Sequence, residues 1–193
     1  EPALLEFKSS KYLWDYAEEN GFKVTKGVAD IPTAFTAEYG SGKPIIGIMG
    51  EFDANPGISQ KKQPTKEPLL KGAAGHGCGH NLFGTASLGA AIAIKEMIES
   101  GEISGTVRFY GTPAEETIFA KVWMVRAGLF DDLDVCMDWH PGDDIEASTQ
   151  SSKALVDFRL RFYGDASHAS GDPWNGNSAV DAMELYTTGL NYY

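Results

Sequence analysis

Residues 75–100 read GHGCGHNLFGTASLGAAIAIKEMIES, a glycine-rich string of possible metal ligands that leads directly into a long apolar segment. Small and aliphatic residues dominate residues 82–100, a segment too long for a strand, and Gly101 closes it. This pattern predicts a largely buried helix with the possible ligands at its N-terminus. Those ligands are His76, Cys78 and His80. Imidazole and thiolate hold zinc-like ions firmly, and glycines between them allow a tight turn.

Three apolar runs flank this helix, each bounded by turn residues: 44–49, 106–110 and 135–139. A further helix is expected over residues 116–127, and an amphipathic helix over residues 6–20. The alternation of strand and helix predicts an α/β fold, with a mainly parallel sheet covered by helices in three α/β/α layers.

Each of the predicted strands is followed by side chains with useful chemistry. The first delivers Glu51 and Asp53, the second is followed by Glu115 and Glu116, and the third ends at His140. Sites in such sheets form beyond the carboxyl ends of the strands. We therefore expect these residues to meet at one edge of the sheet, together with the Cys78 loop.

Chemical reasoning gives each of these residues an expected role. Cys78 and His80 flank a single glycine and are expected to bind a metal, with His76 in a supporting role through a hydrogen bond in the turn. Adjacent carboxylates point in different directions, so one of the Glu115–Glu116 pair can bind metal while the other handles protons. An abrupt strand end aims His140 as a ligand, and Asp53 is expected to hold a ligand imidazole in one tautomer.

Composition excludes several classes of partner. The chain of 193 residues has 27 acidic and 16 basic side chains, a formal net charge of −11. Phosphate backbones and anionic lipid surfaces would repel such a chain, so neither nucleic acid nor a membrane is an expected partner. No apolar run reaches the roughly 20 residues that span a bilayer. With only two cysteines and no visible signal peptide, a reducing, cytoplasmic setting is expected.

The pattern changes after residue 150. Residues 154–162 alternate apolar and polar side chains, which predicts a strand with one solvent-exposed face. Residues 177–193 are typical of a helix. His168 lies in a polar loop between them. We place a boundary near residues 148–153, giving a catalytic domain at 1–150 and the incomplete start of a smaller α+β domain at 151–193, because one strand and one helix cannot bury a core.

Several of these stretches together resemble the M20 family of metallopeptidases and amidohydrolases, and within it the aminobenzoyl-glutamate utilisation group. The resemblance runs in order from about residue 28 to the last residue. It includes GEFDANPG, GHGCGHN, TVRFYGTPAEE, VRAGLFDDLDVCMDWHPGD and GDASHAS.

The resemblance implies a site with two divalent ions, zinc or manganese, that hydrolyses an N-acyl or N-aroyl amino acid such as p-aminobenzoyl-glutamate, or a small peptide. Its implied metal ligands are Cys78, His80, Glu116 and His140. Glu115 is the implied general base, and His168 matches a histidine that reaches the active site of a partner subunit and polarises the scissile carbonyl. The smaller domain is then a dimerisation domain, and a homodimer or an assembly with a related subunit is expected.

Two departures from the family pattern and two rival functions stand beside this interpretation. Asn81 replaces an aspartate that many relatives carry, and no residue matches the family's last ligand, a histidine in a protein about twice this length. The second ion is therefore expected to bind weakly. One rival is a hydrolase with Cys78 as nucleophile, activated by His76 or His80. The other is an inactive or truncated homologue whose metal only braces the fold.

Overall fold

Five strands form one mixed sheet in the computed structural model, which describes residues 1–147, 149, 151 and 153–193. They are β1 (Lys23–Lys26), β2 (Phe35–Ser41), β3 (Ile45–Glu51), β4 (Gly105–Thr112) and β5 (Val135–Met137). Their order across the sheet is β1-β2-β4-β3-β5. β3 pairs in parallel with β4 and β5, whereas β2 pairs antiparallel with β1 and β4.

The predicted α/β class and its parallel strands are confirmed, but the antiparallel edge was not predicted. β1 is short and polar, so its sequence carries little signal. β2 did carry one, since buried Phe35 and Ala37 alternate with the less buried Thr36 and Glu38. β2 lies next to β4 and β1 lies outside β2, on a side of β4 where no strand was predicted.

Helices cover both faces of this sheet, as the three-layer prediction requires. The four α-helices within residues 1–145 are α1 (Phe7–Glu19), α2 (His80–Glu99), α3 (Glu115–Ile118) and α4 (Ala120–Arg126). On one face, Leu13 of α1 and Leu88 of α2 share a buried cluster with Phe109 of β4. On the other face, Met124 of α4 packs in a second cluster with Tyr110, the next residue of β4. Successive residues of β4 therefore serve opposite cores.

The single helix predicted over residues 116–127 is wrong. The segment forms two short helices, α3 and α4, because Phe119 between them has a left-handed backbone with φ of 51°. A left-handed residue cannot continue a right-handed helix. The break lets the chain turn directly after the two adjacent glutamates.

The chain divides into two units, Glu1–Ile145 and Glu146–Tyr193. The second contains helix α5 (Ala179–Leu190), which ends before the predicted residue 193, and a bridge between Asp165 and Asn177. The strand predicted at residues 154–162 is wrong, since the described residues offer that segment no hydrogen-bonded neighbour. None of the unit's described residues is buried.

The predicted domain boundary falls partly outside the described part of the chain. Residues 148, 150 and 152 lie outside the described residues, so the division into 1–150 and 151–193 stays a prediction.

Among the described residues, every helix is too short or too polar to cross a bilayer.

Candidate metal centre

The turn before α2 brings Cys78 and His80 to the carboxyl edge of the sheet. His80 is the first residue of α2, and Gly79 immediately before it has a left-handed backbone with φ of 77°. A Cβ at this glycine would lie 2.8 Å from Cγ of Pro141. Glycine is therefore required both for the conformation and for the close approach.

His80 is fully buried, and its two ring nitrogens have different neighbours. Nδ1 lies 2.8 Å from Oδ1 of Asp53, which is also buried. Because a carboxylate accepts, Nδ1–H donates this bond and Nε2 is left to face the site. Burial lowers the pKa of His80, but the hydrogen bond and charge of Asp53 raise it to about 9. In the metal-free protein Nε2 therefore carries a proton, which a cation would replace.

Cys78 and His140 meet across the same site. Sγ of Cys78 lies 3.3 Å from Nε2 of His140. Nδ1 of His140 is 3.0 Å from the carbonyl oxygen of Pro141, which can only accept, so the ring presents an unprotonated Nε2 to the thiol in its neutral form. Burial raises the pKa of Cys78, which keeps its thiol protonated until a cation binds.

Two carboxylates approach the free nitrogen of His80. Oε2 of Glu51 lies 2.9 Å from Nε2, and Oε1 of Glu116 lies 4.0 Å from it. The backbone N–H of Glu116 donates to Oδ2 of Asp53 at 2.9 Å. Within the described residues, Glu51 Oε2, His80 Nε2 and Glu116 Oε1 are buried and meet no partner with hydrogen-bond geometry, although the close approach of Oε2 to Nε2 makes those two an ion pair. Buried polar atoms normally have hydrogen-bond partners, so this group of atoms favours a bound cation.

Glu115 lies at the same edge of the sheet, and the pKa of its carboxyl group is shifted. Its pKa is raised, first by burial and then by the negative charge of neighbouring Glu116. One of its carboxylate oxygens lies within 4.8 Å of the donor atoms of both His80 and Glu51. A carboxyl group with a raised pKa can take up and release a proton nearer to neutral pH.

Glu51 and Lys121 form a partly buried ion pair that the sequence analysis missed. Nζ of Lys121, in α4, contacts Oε1 of Glu51 at the end of β3. Burial lowers the pKa of Lys121. The position of Glu51 at a strand end was a visible signal, but only Asp53 received a role. Lys121 gave no local signal, because it meets Glu51 through the tertiary fold.

The turn that carries Glu115 and Glu116 is bracketed by two strained residues. Ala114 has φ of 54° and Phe119 has φ of 51°, and neither is a glycine. A left-handed conformation costs a residue with a Cβ roughly 1–2 kcal/mol. Such strain persists only where the surrounding structure holds it, and it is typical of functional sites.

The donor atoms fit a divalent cation. Two groups have all their donor atoms within 4.8 Å of one another: Cys78, His80 and His140 in one, and Glu51, His80 and Glu115 in the other. Two ligands of a tetrahedral ion, each about 2.0–2.3 Å from it, lie roughly 3.3–3.7 Å apart. The separation of 3.3 Å between Cys78 and His140 matches this spacing. Because one imidazole nitrogen binds one ion, a second ion would need donors other than His80.

The predicted residues of the first unit mostly come together, with one exception. Asp53, Cys78, His80, Glu115, Glu116 and His140 lie at the carboxyl edge of the parallel strands, although Glu116, an expected ligand, belongs to neither donor group among the described residues and has its Oε1 4.0 Å from Nε2 of His80. His76 is exposed and belongs to neither donor group among the described residues. It lines a cleft of about 330 Å³ together with Lys8, Tyr12 and Asn81.

His168 belongs to the second unit and has its own local support. Its Nδ1 accepts backbone N–H bonds from Ser170 at 3.2 Å and Gly171 at 2.9 Å. Its backbone N–H donates to Oδ1 of Asp172 at 2.9 Å. Since Nδ1 is an acceptor, the proton of the neutral ring sits on Nε2. This tautomer is opposite to that of neutral His80 and His140.

An α/β domain with histidine, thiol and carboxylate donors at the carboxyl edge of its parallel strands has the features of a metal-binding domain. The chain belongs to peptidase family M20/M25/M40, whose sequence model matches residues 47–183. The family predicted from the sequence is thus confirmed.

Individual relatives agree with this assignment. The chain is 46% identical to one of the subunits of p-aminobenzoyl-glutamate hydrolase from Escherichia coli (strain K12), over 97% of this chain and 39% of that protein. It is 34% identical to Xaa-Arg dipeptidase of Mus musculus, over 83% of this chain and 36% of that protein. The chain thus spans less than half the length of the curated relatives it matches.

A solved structure supports the same fold. A dinuclear metal binding peptidase of family M20 from Bacillus subtilis superposes with a TM-score of 0.64 and 26% identity. The match covers 75% of this chain and 39% of that one.

Proposed function

We propose that the protein is a metal-dependent amidohydrolase that cleaves the amide bond of an N-acyl or N-aroyl amino acid, such as p-aminobenzoyl-glutamate, or of a small peptide. The observation that carries the proposal is the convergence of thiol, imidazole and carboxylate donor atoms around Nε2 of His80, in two groups whose atoms lie within 4.8 Å of one another among the described residues. Relatives named as part of a p-aminobenzoyl-glutamate hydrolase and as a dipeptidase support this reaction class. Both names describe hydrolysis of an amide bond.

Four side chains would hold the metal: Cys78, His80, Glu116 and His140. Thiolate and imidazole favour zinc, whereas the carboxylates also admit manganese. When bound, divalent ions would polarise the scissile carbonyl and lower the pKa of water. The relative from Bacillus subtilis is described as dinuclear, which supports two ions per subunit here. The carboxylates of Glu51, Asp53, Glu115 and Glu116 provide negative charge that would favour such cations.

Glu115 would act as the general base and then as the acid. Its raised pKa, caused by burial and by Glu116, suits a group that takes a proton from water and passes it to the leaving amine. Asp53 would keep Nδ1 of His80 protonated, so that Nε2 remains the binding atom.

His168 would donate a hydrogen bond to the carbonyl oxygen as negative charge develops on it. The two backbone N–H groups on its Nδ1 favour a proton on Nε2, which makes Nε2 a donor. We propose that it serves the site of a partner subunit, through a dimerisation domain that begins near residue 151. A homodimer, or an assembly with a related subunit, and a cytoplasmic location complete the proposal. The Escherichia coli relative is named as a component of a hydrolase with more than one kind of chain, which supports an assembly.

The test of this function uses the intact protein, metal analysis and a panel of amides. Purified protein loaded with zinc or manganese is assayed on p-aminobenzoyl-glutamate, several N-acyl amino acids and dipeptides. Glu115→Gln should retain the bound metal and lower kcat by about 100-fold or more. Glu102→Gln, which changes an exposed acid, is the matched control and should leave both unchanged. Wild-type turnover by Glu115→Gln would refute the role of this residue. Absence of hydrolysis by the metal-loaded protein across the panel would refute the function.

Chelation separates this proposal from its two rivals. A thiol hydrolase would survive removal of metal and lose activity on alkylation of Cys78. The raised pKa of Cys78, caused by burial, works against that rival, because the protonated thiol is a poor nucleophile. Under the second rival, the metal only stabilises the fold, and the protein would bind metal but hydrolyse no amide. Loss of hydrolysis on chelation, with recovery on adding metal back, supports the metal-dependent reaction.

A further inference from the structure

Glu6 is a fully buried carboxylate that belongs to neither donor group of the candidate metal centre. It immediately precedes α1, yet its side chain does not cap that helix. Burying a carboxylate is unfavourable unless hydrogen bonds compensate for the lost water. Burial accordingly raises the pKa of Glu6. Its two oxygens therefore need partners elsewhere in the fold.

Those partners lie far away along the chain. Oε1 of Glu6 accepts the backbone N–H of Ala114 at 2.9 Å, and Oε2 accepts the hydroxyl of Thr33 at 3.1 Å. All three residues are at most 1% exposed. Because water is excluded, the Glu6 carboxylate is the partner that satisfies the Ala114 N–H.

Ala114 begins the turn that carries Glu115 and Glu116, which we call the catalytic turn. It has a left-handed backbone with φ of 54° and ψ of 35°, and it directly precedes Glu115 at the start of α3. A second carboxylate holds the other side of this turn, since Oδ2 of Asp53 accepts the N–H of Glu116 at 2.9 Å. Two buried carboxylates from different elements thus fix the two N–H groups that flank Glu115.

We propose that Glu6 is a positioning residue that holds Ala114 in its left-handed conformation and thereby aims Glu115 and Glu116 into the site. The effect on turnover rests on the proposed function of these two glutamates. The effect on the turn itself does not, because it concerns a hydrogen bond within the fold. Thr33 has the subsidiary role of orienting the Glu6 carboxylate.

The test compares three substitutions of Glu6 in the intact protein. Glu6→Gln keeps an acceptor oxygen for Ala114, and its amide can donate to Thr33. Glu6→Leu removes the acceptor at similar volume. Glu6→Asp keeps the charge but withdraws the acceptor by one methylene, about 1.5 Å. Ser10→Ala is the control, because Ser10 is a buried residue of α1 whose hydroxyl, among the described residues, donates to the carbonyl of Phe7.

Hydrogen exchange of the Ala114 amide and steady-state kinetics are the two readouts. We expect Ala114 exchange to accelerate by about tenfold or more in Glu6→Leu and Glu6→Asp, and to stay near the wild-type rate in Glu6→Gln and Ser10→Ala. A displaced general base should lower kcat by about 10- to 100-fold with little change in KM. Rescue of both readouts by glutamine would identify the acceptor oxygen as the active feature.

The outcomes are distinguishable from failure of the proposed function. Unchanged Ala114 exchange and unchanged kcat in Glu6→Asp would overturn the proposal, and this variant decides the matter if Glu6→Leu does not fold. Accelerated exchange with unchanged kcat would also overturn the link to the catalytic turn. If the wild-type protein hydrolyses no amide, the proposed function fails, while the exchange measurement still tests whether Glu6 holds Ala114.

Discussion

Asp53 and His80 are bonded to each other in the buried interior, with Oδ1 of Asp53 2.8 Å from Nδ1 of His80. The other oxygen of Asp53 accepts the N–H of Glu116. A single carboxylate after β3 therefore orients one candidate ligand at the start of α2 and another at the start of α3. This shared contact explains how residues from separate segments are brought to a common point.

Asp53→Asn should weaken metal binding. The variant loses the charge that keeps Nδ1 of His80 protonated, and its amide N–H₂ would face the N–H of Glu116. Loss of such an outer partner typically lowers metal affinity by about 10- to 100-fold. The dissociation constant for zinc, measured by competition with a chelating dye, checks this. Asp15→Asn, at a helix surface, is the control, and equal affinities in the two variants would contradict the role of Asp53.

Lys121→Met should destabilise the metal-free protein, because buried Glu51 loses its lysine partner and retains the protonated imidazole of His80. Breaking such a pair costs about 2–3 kcal/mol here, less than for a fully buried pair because the lysine side chain is 27% exposed. Urea unfolding monitored by circular dichroism gives the free energy of unfolding. Lys11→Met removes an exposed i,i+4 pair and should cost no more than about 0.5 kcal/mol. If Lys121→Met also lost no more than about 0.5 kcal/mol of unfolding free energy, the Lys121–Glu51 pair would stabilise the protein no more than an exposed pair does.

Two glycines of α2 should respond to alanine in opposite directions. A Cβ at Gly84 would lie 2.6 Å from the backbone oxygen of Glu51, whereas a Cβ at Gly89 meets no atom within 4 Å. Gly84→Ala must separate α2 from β3 and should cost about 1–3 kcal/mol. Gly89→Ala should stabilise the protein by about 0.5–1 kcal/mol through helix propensity. Denaturant midpoints of the pair check this, and a stabilised Gly84→Ala would contradict the close packing.

The buried carboxyl of Glu6 should make stability depend on pH. Its pKa is raised above the ordinary value of 4.5 by burial, so the folded state binds the proton more tightly than the unfolded state. This stabilisation is fully present below 4.5 and is lost as the pH rises through the folded-state pKa. Wild-type protein should therefore lose unfolding free energy relative to Glu6→Gln as the pH increases. Urea unfolding of both metal-free proteins between about pH 4 and pH 7 checks the sign, and parallel curves would contradict it.

Much of the site could be predicted because its signals are local. An apolar run stopped by turn residues identifies a strand end, and the residue types that follow define its chemistry. This reasoning found the strands that end near Asp53, Glu115 and His140, and it found Cys78 and His80 at the start of a helix. It failed at Phe119, whose left-handed backbone is not encoded in the periodicity of residues 116–127. It also failed at residues 154–162, where alternation alone cannot supply a neighbouring strand.

The sequence by itself determined the α/β class, the edge of the sheet where the chemistry lies and the family, since these follow from periodicity and from motifs along the chain. Only the tertiary structure decided which atoms meet. The pairing of Lys121 with Glu51, of Glu6 with Ala114 and of β2 with β4 joins residues 64 or more positions apart, and local pattern carries no information about such contacts. The same holds for the histidine tautomers. In their neutral forms His80 and His140 present Nε2 as an acceptor because their Nδ1 donates, whereas His168 presents Nε2 as a donor because its Nδ1 accepts.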